Sequence, residues 1–156
     1  HNALFQAINN EKRVMFIILA LIIAIASFNI VSSLTLLVMN KQKDIAILIS
    51  LGINKRTIGS IFLIQGFIIG LVGISLGVLL GLTLSININS IVLFAESLFS
   101  VALISPDVYH LNKVPYIILI SDIYKIISMA FIMVLLSSIY PAQKASNLLP
   151  TKSLNS

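Results

Sequence analysis

The sequence has no cysteine and only five acidic residues among its 156. The absence of cysteine excludes a disulfide framework, a thiolate zinc site and a cysteine nucleophile. Five carboxylates leave little material for general acid–base catalysis or for a carboxylate metal site. We therefore predict that the chain holds no catalytic residue, no cofactor-binding residue and no metal ligand.

Charged residues are scarce throughout, whereas apolar residues are abundant. They make up 10% and 58% of the chain, respectively, and the mean hydropathy is +1.08. A soluble domain is typically about 25% charged, so this composition argues against a water-soluble globular fold. In so apolar a chain the formal net charge of +5 points to membrane orientation, and we expect no nucleic acid among the partners.

Three apolar segments are long enough to cross a bilayer. The sequence predicts an all-α membrane protein with transmembrane helices at about residues 14–38, 58–84 and 123–140. The first two contain no charged residue and exceed the roughly 20 residues that a hydrocarbon core of about 30 Å requires. The third is just long enough, and Pro141 is expected to bend or end its helix.

The distribution of Lys and Arg between the connecting segments predicts the orientation of these helices. Residues 39–57 carry four basic residues, namely Lys41, Lys43, Lys55 and Arg56, whereas residues 85–122 carry one, Lys113. Cytoplasmic loops hold the excess of Lys and Arg. Residues 39–57 and the C-terminal tail are therefore predicted to be cytoplasmic, and residues 85–122 to lie outside the cell membrane. Within this outer segment, residues 90–104 are predicted to form either an amphipathic surface helix or an extension of the second span.

The sequence opens on His1 and not on methionine. We therefore expect it to be the C-terminal part of a longer protein, with residues 1–13 as the end of an upstream periplasmic region and residues 14–156 as the membrane domain. Lys12 and Arg13 then lie on the outer side of the membrane, against the usual distribution of basic residues. A translocated domain ahead of them would explain their position.

Small and polar residues are arranged along one face of each of the first two spans. Asn29 and Ser33 share a face of the first span, and the second span carries five glycines at spacings of three or four: Gly66, Gly70, Gly73, Gly77 and Gly81. Small residues let neighbouring helices approach closely, and polar side chains in hydrocarbon seek partners. All of these residues are predicted to serve helix packing, not ligand binding.

The segment between the first two spans contains an unexpected apolar stretch. Residues 44–51 read DIAILISL, in which every residue but the first and Ser50 is apolar. Asp44 suits a helix N-terminus and Gly52 suits the position just after a helix, so the sequence predicts a helix of about two turns. Such a helix is too short to span a membrane. It must lie in the membrane interface or insert into the groove of a partner, and both interpretations remain open on physical grounds.

Several motifs resemble one known family. They are the loop KQKDIAILISLG (41–52), the outer stretch SPDVYHLNKVP (105–115), the tail YPAQKAS (140–146) with Pro150, the opening NALFQAINNEK (2–12), the run FNIVSSL (28–34) and QG at 65–66. These motifs resemble the lipoprotein-releasing permeases of the LolC/LolE type, within the wider MacB/FtsX-like permease family. The resemblance covers nearly the entire chain.

The resemblance implies a membrane subunit of an ATP-driven ABC transporter in the bacterial inner membrane, one that releases lipoproteins for transfer toward the outer membrane. Such permeases have four membrane helices and a large periplasmic domain between the first two, so this chain would hold the last three helices. The implied partners are a cytoplasmic ATP-binding subunit, a second permease subunit, the lipoprotein substrate and, through the upstream domain, a periplasmic carrier. ATP hydrolysis is expected on the separate cytoplasmic subunit, and the chain itself is expected not to be an enzyme.

The resemblance also implies that the short helix is a coupling helix that docks on the ATP-binding subunit. The docking residues carried over by position are Lys41, Asp44, Ile45, Ala46, Leu48, Leu51 and Gly52. Ile45, Leu48 and Ile49 follow the i, i+3, i+4 spacing of one helix face. Ile49 stands where relatives often carry a basic residue, so the resemblance implies no salt bridge at this position.

Three other functions compete with this interpretation. Another branch of the same family, in efflux or cell-division signalling, shares the loop helix but lacks the stretch at 105–115. A secondary-transporter fragment usually needs ionisable residues within its spans, and the centres of these spans have none. An enzyme would need partners for His110, which has no nucleophile–base or metal-ligand spacing around it.

Overall fold

The structure, a computed structural model, describes residues 1–99 and 116–148, which form five α-helices and no strand. The helices are α1 (Asn2–Asn40), α2 (Gln42–Ser50), α3 (Lys55–Ile86), α4 (Ile88–Phe99) and α5 (Ile120–Ser146). Three of them, α1, α3 and α5, are long and apolar enough to cross a membrane. The prediction of an all-α membrane protein with three transmembrane helices is confirmed. The predictions for residues 105–115, His110 and Pro150 lie outside the described residues.

The transmembrane helices extend beyond the predicted spans. α1 has 39 residues and begins at Asn2, and α3 has 32 residues, so both exceed the roughly 20 residues that cross a hydrocarbon core. α5 continues through Pro141 to Ser146. Of the two outcomes expected at Pro141, the end of the helix is wrong and the bend stays a prediction. Proline removes one backbone donor, but Pro141 is almost completely buried, and its packing against neighbouring helices outweighs that loss.

The helix α5 lies between the other two membrane helices. It packs along α3 and along α1, whereas α1 and α3 touch each other only slightly. One point of the α3–α5 contact is an edge-to-face pair of Phe67 and Phe131, whose ring centroids lie 5.6 Å apart. Such pairs add modestly to the stability that comes from burying the rings.

The hydrophobic core is concentrated at one end of the bundle, which we call the α2 end. Four helices contribute to it, through Val38 of α1, Ile45 of α2, Ile58 and Phe62 of α3, and Ala142 and Ala145 of α5. The buried hydrophobic residues of the described chain all lie in α2 or in the adjoining half of the membrane helices. The three long helices are therefore packed most closely at the α2 end. The opposite end, where α4 follows α3, is called the α4 end.

Candidate functional site

The predicted short helix is present as α2, and backbone hydrogen bonds join it tightly to α1. The Lys41 N–H donates to the Leu37 carbonyl at 3.0 Å, and the Lys41 carbonyl accepts from the Ile45 N–H at 2.9 Å. Lys41 is thus both the C-cap of α1 and the N-cap of α2. A single residue therefore connects α1 to α2.

The far end of α2 is closed by a glycine in the left-handed conformation. The Ile53 N–H donates to the Leu48 carbonyl and the Gly52 N–H to the Ile49 carbonyl, both at 3.1 Å, which is the Schellman arrangement. Gly52 has a φ of 99°, a value that costs glycine little and other residues more. The next helix, α3, starts at once, since the Asn54 side chain accepts a hydrogen bond from the Arg56 N–H at 3.1 Å.

The two faces of α2 have different surroundings. Ile45 and Ala46 are buried at 4% and 0% exposure, and Ile49 packs against the core of the α2 end. On the opposite side, Ile47 and Leu51 are 47% and 76% exposed. The inner face fixes α2 to the membrane helices, and the outer face is an apolar surface that the described part of the chain leaves open.

The residues predicted to dock on a partner are divided between these faces. Ile45 and Ala46 contact the core of their own chain and are out of reach of a partner, so the docking prediction rests on the exposed members: Lys41, Asp44, Leu48, Leu51 and Gly52. Ile47 is exposed on the same side, although the predicted set of docking residues does not include it. In a helix of 3.6 residues per turn, Ile47 lies on the side opposite Ile45, so the sequence spacing alone indicates that the two residues face different surroundings.

A pair of opposite charges lies at the edge of the outer face. Lys41 Nζ and Asp44 Oδ2 are 3.6 Å apart, and both side chains are largely exposed. Asp44 lies in the first turn of α2. A negative charge there is stabilised by the positive end of the helix dipole. The outer face of α2 therefore combines an apolar surface with an exposed charge pair.

The glycine stripe of α3 is divided into two parts by its contacts. Gly66 and Gly70 lie against Ser138 and Val134 of α5, so close that a Cβ on either glycine would overlap the opposing side chain. A Cβ on Gly59 would lie 3.3 Å from the Ala142 carbonyl oxygen. Close approach to α5 therefore requires the first two glycines of the predicted stripe.

The remaining glycines of the stripe, Gly73, Gly77 and Gly81, face an open space. Among the described residues, a Cβ added at any of the three would meet no atom within 4 Å. They line a cleft of about 820 Å³ between α1, α3 and α5, toward the α4 end. Their predicted role in packing against another helix stays a prediction, because the partner would lie outside the described chain.

The cleft is almost entirely apolar. Its walls include Leu19 and Ile23 of α1, Ile74 and Val78 of α3, and Ile126 and Ala130 of α5. Four described lining residues are polar: Ser27, Asn29, Ser85 and Asp122. A long, open, apolar cleft of this volume suits an apolar chain or another helix better than a polar solute.

The two polar residues that the sequence assigned to packing on α1 lie together on one exposed face of the helix. Asn29 lines the cleft and accepts a hydrogen bond of 3.4 Å from the Ser33 hydroxyl. Both residues are exposed. The buried residues of α1 are Ser27, Leu34 and Val38. The predicted packing of Asn29 and Ser33 thus needs a partner beyond the described residues.

The α4 end of the cleft carries an ion pair that sequence reasoning missed. Lys12 Nζ of α1 lies 3.0 Å from Asp122 Oδ2 of α5, and Asp122 also lines the cleft. The two residues are far apart in the sequence, and no local pattern links them. The pair links the α1 and α5 walls of the cleft at this end.

Comparison with known proteins connects this architecture to one family. The sequence profile of the FtsX-like permease C-terminal family matches residues 16–150. The lipoprotein-releasing system transmembrane protein LolC of Xylella fastidiosa (strain 9a5c) is 38% identical over 151 residues, which cover 97% of this chain and 37% of that protein. LolC of Neisseria meningitidis serogroup B is 40% identical over 150 residues, covering 96% of this chain and 36% of the relative.

A relative of the second type, the lipoprotein-releasing system transmembrane protein LolE of Haemophilus influenzae, is 35% identical over 153 residues, covering 98% of this chain and 37% of that protein. The chain spans little more than a third of the length of these relatives. The resemblance noted in the sequence motifs is confirmed over nearly all of the chain. The chain therefore belongs to the FtsX-like permease family, as the C-terminal part of a permease of the LolC/LolE type, and is a multi-pass protein of the bacterial inner membrane.

Proposed function

We propose that this chain is the C-terminal membrane region of a transporter subunit that releases lipoproteins from the inner membrane for transfer toward the outer membrane, driven by ATP. The names of the LolC and LolE relatives support the substrate class. The structural observation that carries the proposal is the helix α2, whose inner face belongs to the core of the membrane helices while its outer face is apolar and exposed.

The position of Ile45 explains how force on α2 would reach the membrane helices. Its side chain shares one core with Val38, Phe62 and Ala142, so α1, α3 and α5 all meet at the same packed cluster. Packed interiors are close to crystalline density and transmit displacement instead of absorbing it. A push on α2 therefore moves the three helices together at the α2 end, and the opposite ends respond by changing the width of the cleft.

ATP hydrolysis is proposed to take place on a separate cytoplasmic subunit, with the α2 end on the cytoplasmic side. A short helix that presents Ile47, Leu48 and Leu51 to the outside fits the groove of such a partner, as in other helix-in-groove contacts. The exposed pair of Lys41 and Asp44 lies at the edge of this surface, where charges influence orientation and association rate more than affinity.

The apolar cleft is the proposed path for the acyl chains of the lipoprotein. Burying a methylene group is worth about 0.8 kcal/mol, so a wall of isoleucine, leucine and glycine binds an acyl chain without polar contacts. The open side, along Gly73, Gly77 and Gly81, is proposed to be closed by a second permease subunit. Contact with a periplasmic carrier is proposed for the portion of the relatives' length that this chain does not span.

The proposal is tested with the substitution Leu48→Asp in the full-length protein. Leu48 is 37% exposed on the outer face of α2, so an aspartate there leaves the core intact but places a charge in an apolar contact. Such burial costs several kcal/mol when the charge is unpaired. We expect recovery of the ATP-binding subunit in pull-downs, and lipoprotein release from spheroplasts, to fall together by tenfold or more at matched membrane levels.

Thr57→Asp is the matched control for this experiment. It adds the same charge at the same end of the bundle, but Thr57 is an exposed residue in the first turn of α3, where a negative charge is favourable. The control is expected to retain both partner recovery and release. If Leu48→Asp behaved like Thr57→Asp, α2 would be a helix that merely lies on the bilayer, and the proposal would fail.

A further inference from the structure

The helix α4 leaves a large apolar surface open at the end of the cleft. None of its 12 residues is buried among the described parts of the chain. Phe94, Leu98 and Phe99 are 68%, 66% and 68% exposed, and Ile91 is 38% exposed. Leu93 is exposed to a similar degree, at 65%. Four phenylalanine or leucine side chains at such exposure need a cover, because apolar surface in contact with water is unfavourable.

The residues of α4 are sorted around its axis. Ile91, Phe94 and Leu98 follow an i, i+3, i+7 spacing and share one side of the helix. Ser90 and Ser97 share another side and are exposed. Ile88, Val92 and Glu96 are more sheltered and lie on a third side. Leu93, which is 65% exposed, lies beside Ser90 and Ser97. The free surface of α4 is thus apolar on one flank, whereas the next flank, which we call the polar flank, carries the two serines together with Leu93. Helices that lie in a membrane interface also combine an apolar side with a more polar one.

The length of α3 places α4 at the level of the lipid headgroups. From Ile58, just after the basic pair of Lys55 and Arg56, to Ile86 the helix rises roughly 42 Å at about 1.5 Å per residue. A bilayer with its headgroup regions is about 40–45 Å thick. The chain then interrupts the helix at Asn87, and α4 itself, with 12 residues or roughly 18 Å, is too short to span.

The apolar flank of α4 is continuous with a surface that already faces lipid. The last turns of α3 expose Leu79, Leu80, Leu84 and Ile86, each by more than half of its area. On a transmembrane helix such side chains face acyl chains. At Asn87 the backbone still bonds to both neighbouring turns, through Thr83 at 3.2 Å and Ile91 at 3.0 Å, so α4 is held directly next to this surface.

We propose that α4 is an in-plane membrane anchor that inserts Phe94 and Leu98 among the acyl chains of the outer leaflet and keeps the open end of the cleft at headgroup level. Ser90 and Ser97 then face the headgroups and water. The lipid contact itself is independent of the transported substrate. The role at the cleft rests on the proposed function, since it fixes the height at which an acyl chain would enter.

The test measures the depth of single nitroxide labels in the full-length protein, reconstituted in vesicles of phosphatidylethanolamine and phosphatidylglycerol. The described chain has no native cysteine, and any cysteine elsewhere in the protein is first replaced. Labels are attached to Phe94→Cys and Leu98→Cys for the apolar flank, and to Ser90→Cys and Ser97→Cys for the polar flank. Leu79→Cys and Lys43→Cys give the lipid and water references.

Labels at positions 94 and 98 are expected to collide several-fold more often with oxygen than with a water-soluble nickel chelate, and labels at positions 90 and 97 are expected to show the reverse. Equal access of nickel to all four positions would place α4 in water and overturn the proposal. Shielding of positions 94 and 98 from both reagents would show that protein covers them, and would overturn it as well. Because this measurement involves neither ATP nor lipoprotein, its failure is distinct from a failure of the transport function.

Discussion

Gly66 of α3 lies directly against Ser138 of α5. A Cβ on Gly66 would lie 2.6 Å from the Ser138 Cβ, and Leu34 of α1 would be 3.3 Å away. Ser138 is completely buried, and its hydroxyl donates to the Val134 carbonyl of its own helix at 2.9 Å. The contact therefore depends on close backbone approach and not on a hydrogen bond between the helices, as is usual for small residues in membrane helices.

Gly66→Ala is expected to destabilise the bundle, because the added methyl group must push α5 away. Overpacking of this kind typically costs about 1–3 kcal/mol. Gly73→Ala is the matched control, since a methyl group at Gly73 meets open space. Thermal unfolding in detergent should show a lower midpoint for Gly66→Ala and little change for Gly73→Ala. Equal midpoints would mean that α3 and α5 are not in this contact.

Gly77→Leu should preserve the fold of the chain and impair its assembly or transport. Gly77 borders the cleft and has no neighbour within 4 Å among the described residues, so a leucine there fits within this chain but fills the space proposed for a second subunit or an acyl chain. Leu79→Val is the control, because Leu79 is exposed on the same helix. The measurements are the melting temperature and the yield of assembled complex. Normal yield together with normal lipoprotein release for Gly77→Leu would show that the open glycines face bulk lipid.

The ion pair between Lys12 and Asp122 should contribute modestly and in a salt-dependent manner. The side chains are 54% and 33% exposed, and exposed pairs are typically worth about 0.2–1 kcal/mol. Lys12→Asp is expected to lower the melting temperature slightly at low salt, and the difference should shrink at 0.5 M salt as screening increases. Adding Asp122→Lys to Lys12→Asp should restore only part of the lost melting temperature, because a lysine in the first turn of α5 is unfavourable at the positive end of the helix dipole. A decrease in melting temperature that does not change with salt would contradict an electrostatic role.

The orientation of the bundle is tested with a maleimide that does not cross the membrane. Lys43→Cys lies at the α2 end and Ser97→Cys at the α4 end, and both positions are exposed. The excess of Lys and Arg in residues 39–57 predicts that the α2 end is cytoplasmic. In spheroplasts, Ser97→Cys should react while Lys43→Cys should react only after lysis. The opposite order of labelling would show that the predicted orientation is wrong and that the α2 end faces the outside.

The amino-acid sequence by itself determined the three membrane helices, the C-terminal end of the short helix and the start of α3. The start of the short helix was predicted at Asp44, whereas α2 begins at Gln42. Long apolar runs partition into lipid whatever their neighbours are, so the spans can be predicted from composition alone. The positions of Gly52 and Asn54 depend on backbone conformation and hydrogen bonds within a few residues. The family could also be predicted, because several of its motifs are contiguous stretches of sequence. These features are local, and the structure and the comparisons agree with them.

Only the tertiary structure shows which face of each helix contacts the rest of the protein. Lipid is as apolar as leucine, so a membrane helix that is hydrophobic all round does not reveal which face meets protein. The glycine stripe is continuous in sequence, yet Gly66 contacts α5 while Gly77 borders an open cleft. Ile45 and Leu48 are both apolar, yet only the first belongs to the core. These outcomes depend on where α5 lies between α1 and α3, a relationship between distant segments that no local pattern encodes.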